Sequence, residues 1–180
     1  MGTSCTIKKI KVIESMGKIE IDCTNTTDKG EDDLKGLFAE AAAPDFYRAM
    51  DDLRGSVAGI LEAPELAARL KPFAVKFHYG KDGRMGAIIS AKLALPMAGT
   101  ETVVNTPMRK CPVDEKEIGV YFSPSTVDRL WKLEAEARAY LLGKRAQTSL
   151  FDGEPTTDAS AADGELGDTG AKVLPFAKEA

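Results

Sequence analysis

Few side chains in this chain are equipped for covalent or acid–base chemistry, and they are scattered. His78 is the one imidazole, so a Ser-His-Asp or Cys-His nucleophile would have to rest on it alone. Cys5, Cys23 and Cys111 are an odd number with no Cys-x-x-Cys spacing, which reads as three idle thiols in a reducing cytosol. Paired acids such as Asp32 with Asp33, Asp51 with Asp52, and Glu134 with Glu136 suit helix and loop surfaces, and no Cys/His cluster has zinc spacing. Residues 25–33 are acidic but lack the Asp-x-Asp-x-Asp-Gly order of a calcium loop. Gly80-Lys81-Asp82-Gly83 is too short for a phosphate-binding loop, and no Gly-x-Gly-x-x-Gly follows a strand. The expectation is a chain that is not an enzyme, with no catalytic residues, no metal and no cofactor.

Contact chemistry is better represented. Lys76, Lys81 and Arg84, with the aromatics Phe77 and Tyr79, gather on one stretch of alternating sequence. Cations beside aromatic faces are what a single-stranded-DNA contact uses. A second cluster is Gln147-Thr148-Ser149-Leu150-Phe151, where a Leu-Phe pair leads into polar sequence and so points to a partner. The alternative is that Leu150 and Phe151 fold back as a hydrophobic latch.

These residues must be positioned by surrounding elements. Residues 5–14 and 18–23 alternate as strands around the turn Ser15-Met16-Gly17, predicting an N-terminal hairpin. Residues 25–33 read as a polar connection, and residues 34–43 as a turn of helix or a packed loop. Pro44 opens a helix whose Phe46, Met50, Leu53, Val57, Ile60 and Leu61 recur at helical spacing. Pro64 starts a short second helix running to Leu70.

Residues 72–79 place Phe73, Val75, Phe77 and Tyr79 on one face, with Ala74, Lys76 and His78 on the other. With the turn at residues 80–83 and a strand over 85–95, this predicts a second hairpin. A further strand over 101–105 is closed by Thr106-Pro107, and residues 110–122 read as irregular. Ser123-Pro124 is an N-cap followed by proline at the first helical position. The helix it opens carries Val127, Leu130, Leu133, Ala137, Tyr140 and Leu141, and Gly143 fits its C′ position.

The fold expected is α+β: an antiparallel sheet of two hairpins plus a strand, covered by about three helices. Residues 1–146 form one domain, 147–151 a linear motif, and 152–180 an acidic tail too poor in apolar residues to fold. Apolar content of 43% suffices for one core. No apolar run approaches ~18 residues, so no membrane span is expected. The start lacks a signal-peptide pattern, which makes the expected location cytoplasmic. The tail carries seven acids against Lys172 and Lys178, a net −5, leaving the other 151 residues at +1. A balanced body argues against tight non-specific nucleic-acid binding, although a folded basic patch is compatible with it.

Gln147, Ser149, Leu150 and Phe151 give this segment a form that resembles the bacterial sliding-clamp-binding motif, Gln-Leu-Ser/Asp-Leu-Phe, with Thr148 departing from the usual Leu. The resemblance implies that Leu150 and Phe151 enter an apolar clamp pocket while Gln147 hydrogen-bonds at its rim. Residues 77–91, then Asn105-Thr106-Pro107, then a Glu/Ala-rich helix ending Gly-Lys-Arg-Ala-Gln-x-x-Leu-Phe, look like small uncharacterised proteins of tailed bacteriophages. That implies a replication or host-takeover setting in a bacterial cell, with the clamp as partner. Val173-Leu174-Pro175-Phe176 in an acidic tail is similar to the tip of bacterial single-stranded-DNA-binding proteins. Four residues follow Phe176, however, so the terminal carboxylate those tips use is displaced. Three readings stand: a clamp-docking module, a single-stranded-DNA or recombination accessory protein, and an enzyme with an unrecognised site.

Overall fold

A computed structural model describes residues 4–81, 83–112 and 120–146. The chain is α+β, an antiparallel sheet with helices on one face. Its first hairpin is β1 (Ser4–Ile13) and β2 (Lys18–Thr27), continued by β3 (Gly30–Phe38). The second is β4 (Leu70–Tyr79) and β5 (Met85–Leu95), continued by β6 (Thr100–Asn105). A two-residue strand, β7 (Arg109–Lys110), also pairs with β5, and the order across the sheet is β3-β2-β1-β4-β5-β6. The backbones of the two hairpins pair where Lys9, Ile10 and Lys11 oppose Lys76, Val75 and Ala74.

Side-chain alternation gives β1, β2, β4 and β5 an inner apolar face, but two bulges shift its phase. In β1 the register slips between Ile7 and Lys9, so that Ile7 and Ile10 are both fully buried. In β4 it slips between Pro72 and Ala74. An extra residue reverses which face the following side chains take. Phe73 was expected in line with Val75 and Phe77; it is instead the inserted residue and only half-buried.

The inner face is covered by α1 (Pro44–Asp51), α2 (Arg54–Ile60) and α3 (Pro124–Leu141), with a 3-10 turn at Pro64–Arg69. One continuous helix was expected over residues 44–61. The chain breaks it at Asp52 and Leu53, where Leu53 N–H donates to Met50 O at 3.2 Å, one residue short of α geometry. The apolar stripe survives the break, because Phe46, Met50, Leu53 and Val57 are all buried. The short helix expected from Pro64 is the 3-10 turn.

Two further expectations are corrected. The polar connection at residues 25–33 is the end of β2, a tight turn, and the start of β3. Residues 34–38 are strand rather than helix or loop. β3 is an edge strand whose residues are mostly exposed on both sides, so no apolar alternation marks it. Asp33 is nonetheless tied in, accepting from Thr24 Oγ1 at 2.6 Å and Lys8 Nζ at 2.8 Å.

α3 follows its expected bounds closely. Ser123 caps it, its Oγ accepting from Thr126 N–H at 3.3 Å, and Gly143 takes φ 104° just past the end. Leu130, Leu133, Ala137 and Tyr140 are buried, each large side chain contributing roughly 1.5–3 kcal/mol. Arg138 pins α3 to β1 by donating to Cys5 O at 2.6 Å while pairing with the buried Glu134.

Candidate functional site

The C-terminal end of the described fold is held from several sides. Tyr140 OH donates to Glu40 O at 2.6 Å, and the Arg145 guanidinium lies 3.8 Å above the Tyr140 ring centroid. Arg145 Nε donates to Glu40 Oε2 at 2.7 Å. Ala42 and Arg145 form an antiparallel bridge, and Ala146 N–H donates to Ala41 O at 3.1 Å. Ala146 is therefore fixed to the domain, and the next residue in sequence is Gln147. Gln147, Ser149, Leu150 and Phe151, and the tail at 152–180, lie outside the described residues.

Of the four hairpin residues expected to meet DNA, Lys76 and Tyr79 take opposite phases of β4, and Lys81 and Arg84 lie in the turn that follows. Lys76 stands on the open face of the sheet, opposite Lys9 on β1 and Ile88 on β5. Tyr79 pairs with Met85 on the inner phase, and its hydroxyl donates to Ile7 O at 3.2 Å. Burial pushes the Tyr79 phenol up to about 12. Lys81 and Arg84 occupy the β4–β5 turn, Lys81 exposed and Arg84 half-buried. Phe77, read as an exposed aromatic, is a core residue at 3% exposure, because it shares the face of Val75.

The open face instead carries lysines alternating with acids. Across one row Lys35, Asp22, Lys9 and Lys76 lie side by side on β3, β2, β1 and β4. Lys9 pairs with Glu20 at 2.6 Å, whereas Lys11 and Lys76 make no ion pair among the described residues. Asp22 Oδ1 is buried there without a hydrogen-bond partner among the described residues. His78 is exposed on the same face.

Sequence reasoning missed a cavity of about 530 Å³ where α2 meets the start of α3. Its walls come from α2, β7 and residues 121–129, segments distant in sequence, so no local string announces it. Buried Ser56 accepts from Arg129 Nη1 at 3.0 Å and from Thr126 Oγ1 at 3.0 Å. Thr126 Oγ1 in turn lies 2.9 Å from Ser123 Oγ. Gly55 and Gly59 of α2 line the cavity, and a Cβ built at Gly59 would meet nothing within 4 Å. A glycine inside a helix costs roughly 0.5–1 kcal/mol relative to alanine. The one local clue was therefore two glycines in a seven-residue helix.

Among the described residues no group of three or more His, Cys, Asp or Glu side chains is placed to hold a metal. None of the described helices is long and apolar enough to cross a membrane. No family model, curated protein or solved structure matches this chain.

Proposed function

We propose that this chain is a non-catalytic binding module that docks on the bacterial DNA sliding clamp through Gln147, Ser149, Leu150 and Phe151. The setting would be phage replication or host takeover, in the cytoplasm of the bacterial host. The observation that carries the reading is the spelling Gln-x-Ser-Leu-Phe, starting one residue after Ala146. A partner that takes the motif gains the whole domain as cargo or as an obstacle. Burying Leu150 and Phe151 contributes roughly 1.5–3 kcal/mol each, partly offset by ordering the peptide. A short anchored peptide of this kind is expected to bind with a dissociation constant on the order of micromolar, about −8 kcal/mol.

The test is binding of the full chain to purified sliding clamp, beside a Leu150→Ala/Phe151→Ala double variant. Binding lost in a variant with an unchanged unfolding midpoint supports docking. Absence of binding by the folded wild-type chain sinks it. Loss of a few kcal/mol of stability in the variant would assign the pair to a latch, since core truncations cost that much.

A second reading, contact with single-stranded DNA, is favoured by Lys11 and Lys76, which have no carboxylate partner among the described residues on the open sheet face. Backbone-phosphate binding through them would weaken steeply with added salt. Docking by Leu150 and Phe151 would respond little.

A further inference from the structure

We infer that the cavity between α2 and the first turn of α3 is a binding site for a small organic anion, an oxyanion head on a flat apolar body. At about 530 Å³ it falls within the range of small-molecule sites, which are mostly apolar with a few convergent polar groups. Ile60, Pro112 and Tyr121 supply apolar wall. Arg129 supplies a guanidinium, and Arg109 also lines the wall, its Nη1 donating to Tyr121 O at 3.4 Å.

Arg129 carries the assignment. It is half-buried, makes no ion pair among the described residues, and is steadied by Nη1 donating to Ser56 Oγ. Ser56 is 5% exposed and also takes the hydroxyl hydrogen of Thr126, so both elements position one guanidinium. A guanidinium has five donors in a planar fork, which matches phosphate or carboxylate oxygens in pairs. One of these donors is spent on Ser56, which leaves the fork able to receive an oxyanion.

The floor supports the same assignment. Gly59 has open space where a side chain would stand, so packing does not demand a glycine there. At Gly55 a Cβ would lie 3.9 Å from Arg129 Nη1, ordinary contact that a larger side chain would extend into the guanidinium. Gly55 leaves room beside the Arg129 guanidinium, and Gly59 adds open space one turn further along α2.

The site can be tested on the full chain by following backbone amide NMR shifts during titration with phenyl phosphate, benzoate and inorganic phosphate. Shifts at Gly55, Gly59 and Ser125, saturating with either aromatic anion and weaker with inorganic phosphate, are expected. Preference between phenyl phosphate and benzoate tells a phosphate head from a carboxylate head. Arg129→Gln should weaken the preferred probe by at least about tenfold, or 1.4 kcal/mol. Gly59→Leu should abolish binding by filling the cavity while leaving the unfolding midpoint near wild type. Absence of saturable shifts at those amides overturns the inference, as does binding that both variants leave unchanged. Inorganic phosphate binding as well as the aromatic probes would likewise overturn it, because the apolar wall would then contribute nothing.

Discussion

Lys9 and Lys76 face one another directly across the seam between β1 and β4, two like charges on the open side of the sheet. Like charges directly opposite on neighbouring strands are destabilising. Glu20 offsets one of them through its 2.6 Å contact with Lys9, and no acid among the described residues offsets the other.

Lys76→Glu should therefore stabilise the domain, by about 0.2–1 kcal/mol on the scale of cross-strand pairs. Urea unfolding at low and high salt measures it, and the gain should shrink as salt screens the face. A destabilised variant would show that Lys76 has a compensating contact. If the same substitution also removed single-stranded-DNA binding, the second functional reading would gain its first direct support.

Phe77→Ala should act on the fold rather than on any ligand. Phe77 is packed opposite Ala87 on the inner face, and truncation of a core Phe costs about 3–5 kcal/mol. The denaturation midpoint should fall by that amount. A variant of wild-type stability would mean that Phe77 is not core and is free to stack.

Tyr140→Phe removes the hydroxyl that donates to Glu40 O and leaves that carbonyl without this partner. The expected cost is about 1–2 kcal/mol. Hydrogen exchange at the Ala146 amide should quicken, because residues 40–42 and 145–146 are fastened to one another beside it. Unchanged protection at Ala146 would show that the Tyr140 hydroxyl plays no part in fixing this end of the domain.

The alkaline limb of the stability profile has a definite sign. Burial raises the Cys23 thiol to about 11, with the neighbouring Cys5 thiol adding to the shift, and raises the Tyr79 phenol to about 12. The folded chain keeps these protons at pH values where the unfolded chain has released them. Stability from both groups is thus full below pH 9 and falls as pH rises through about 11 for Cys23 and about 12 for Tyr79. Urea midpoints between pH 8 and the alkaline limit should decline, and Tyr79→Phe should flatten the upper part of that decline. A midpoint constant above pH 9 would contradict the raised values of Cys23 and Tyr79.

What was legible in the sequence follows from how locally each feature is encoded. The β4–β5 hairpin and α3 are written in consecutive residues: alternation around Gly80, and Ser123-Pro124 before an apolar stripe that ends at Gly143. β3 was not legible, because an edge strand exposed on both sides, with Glu31, Asp32 and Asp33 in succession, carries no apolar phase. The bulges at Lys8 and Phe73 were hidden for a related reason, since one inserted residue looks like an error in alternation until the partner strand is known. The clamp-like motif could be read only as a string. The cavity left one trace in the string, the two glycines of α2, because Gly59, Arg109 and Arg129 are brought together by tertiary packing.

The seam between the hairpins has a kinetic meaning. β1 with β2, and β4 with β5, close short loops and can zip independently, whereas the backbone pairing between them covers three residue pairs, with a bulge beside each end, and is added to by side chains such as Tyr79 on Ile7 O and Lys92 on Glu14. Such a join gains too little from backbone pairing to form early and must wait for α1, α2 and α3 to settle across it. The last event in folding is then the marriage of two preformed halves, and the first opening of the native state runs along the same line.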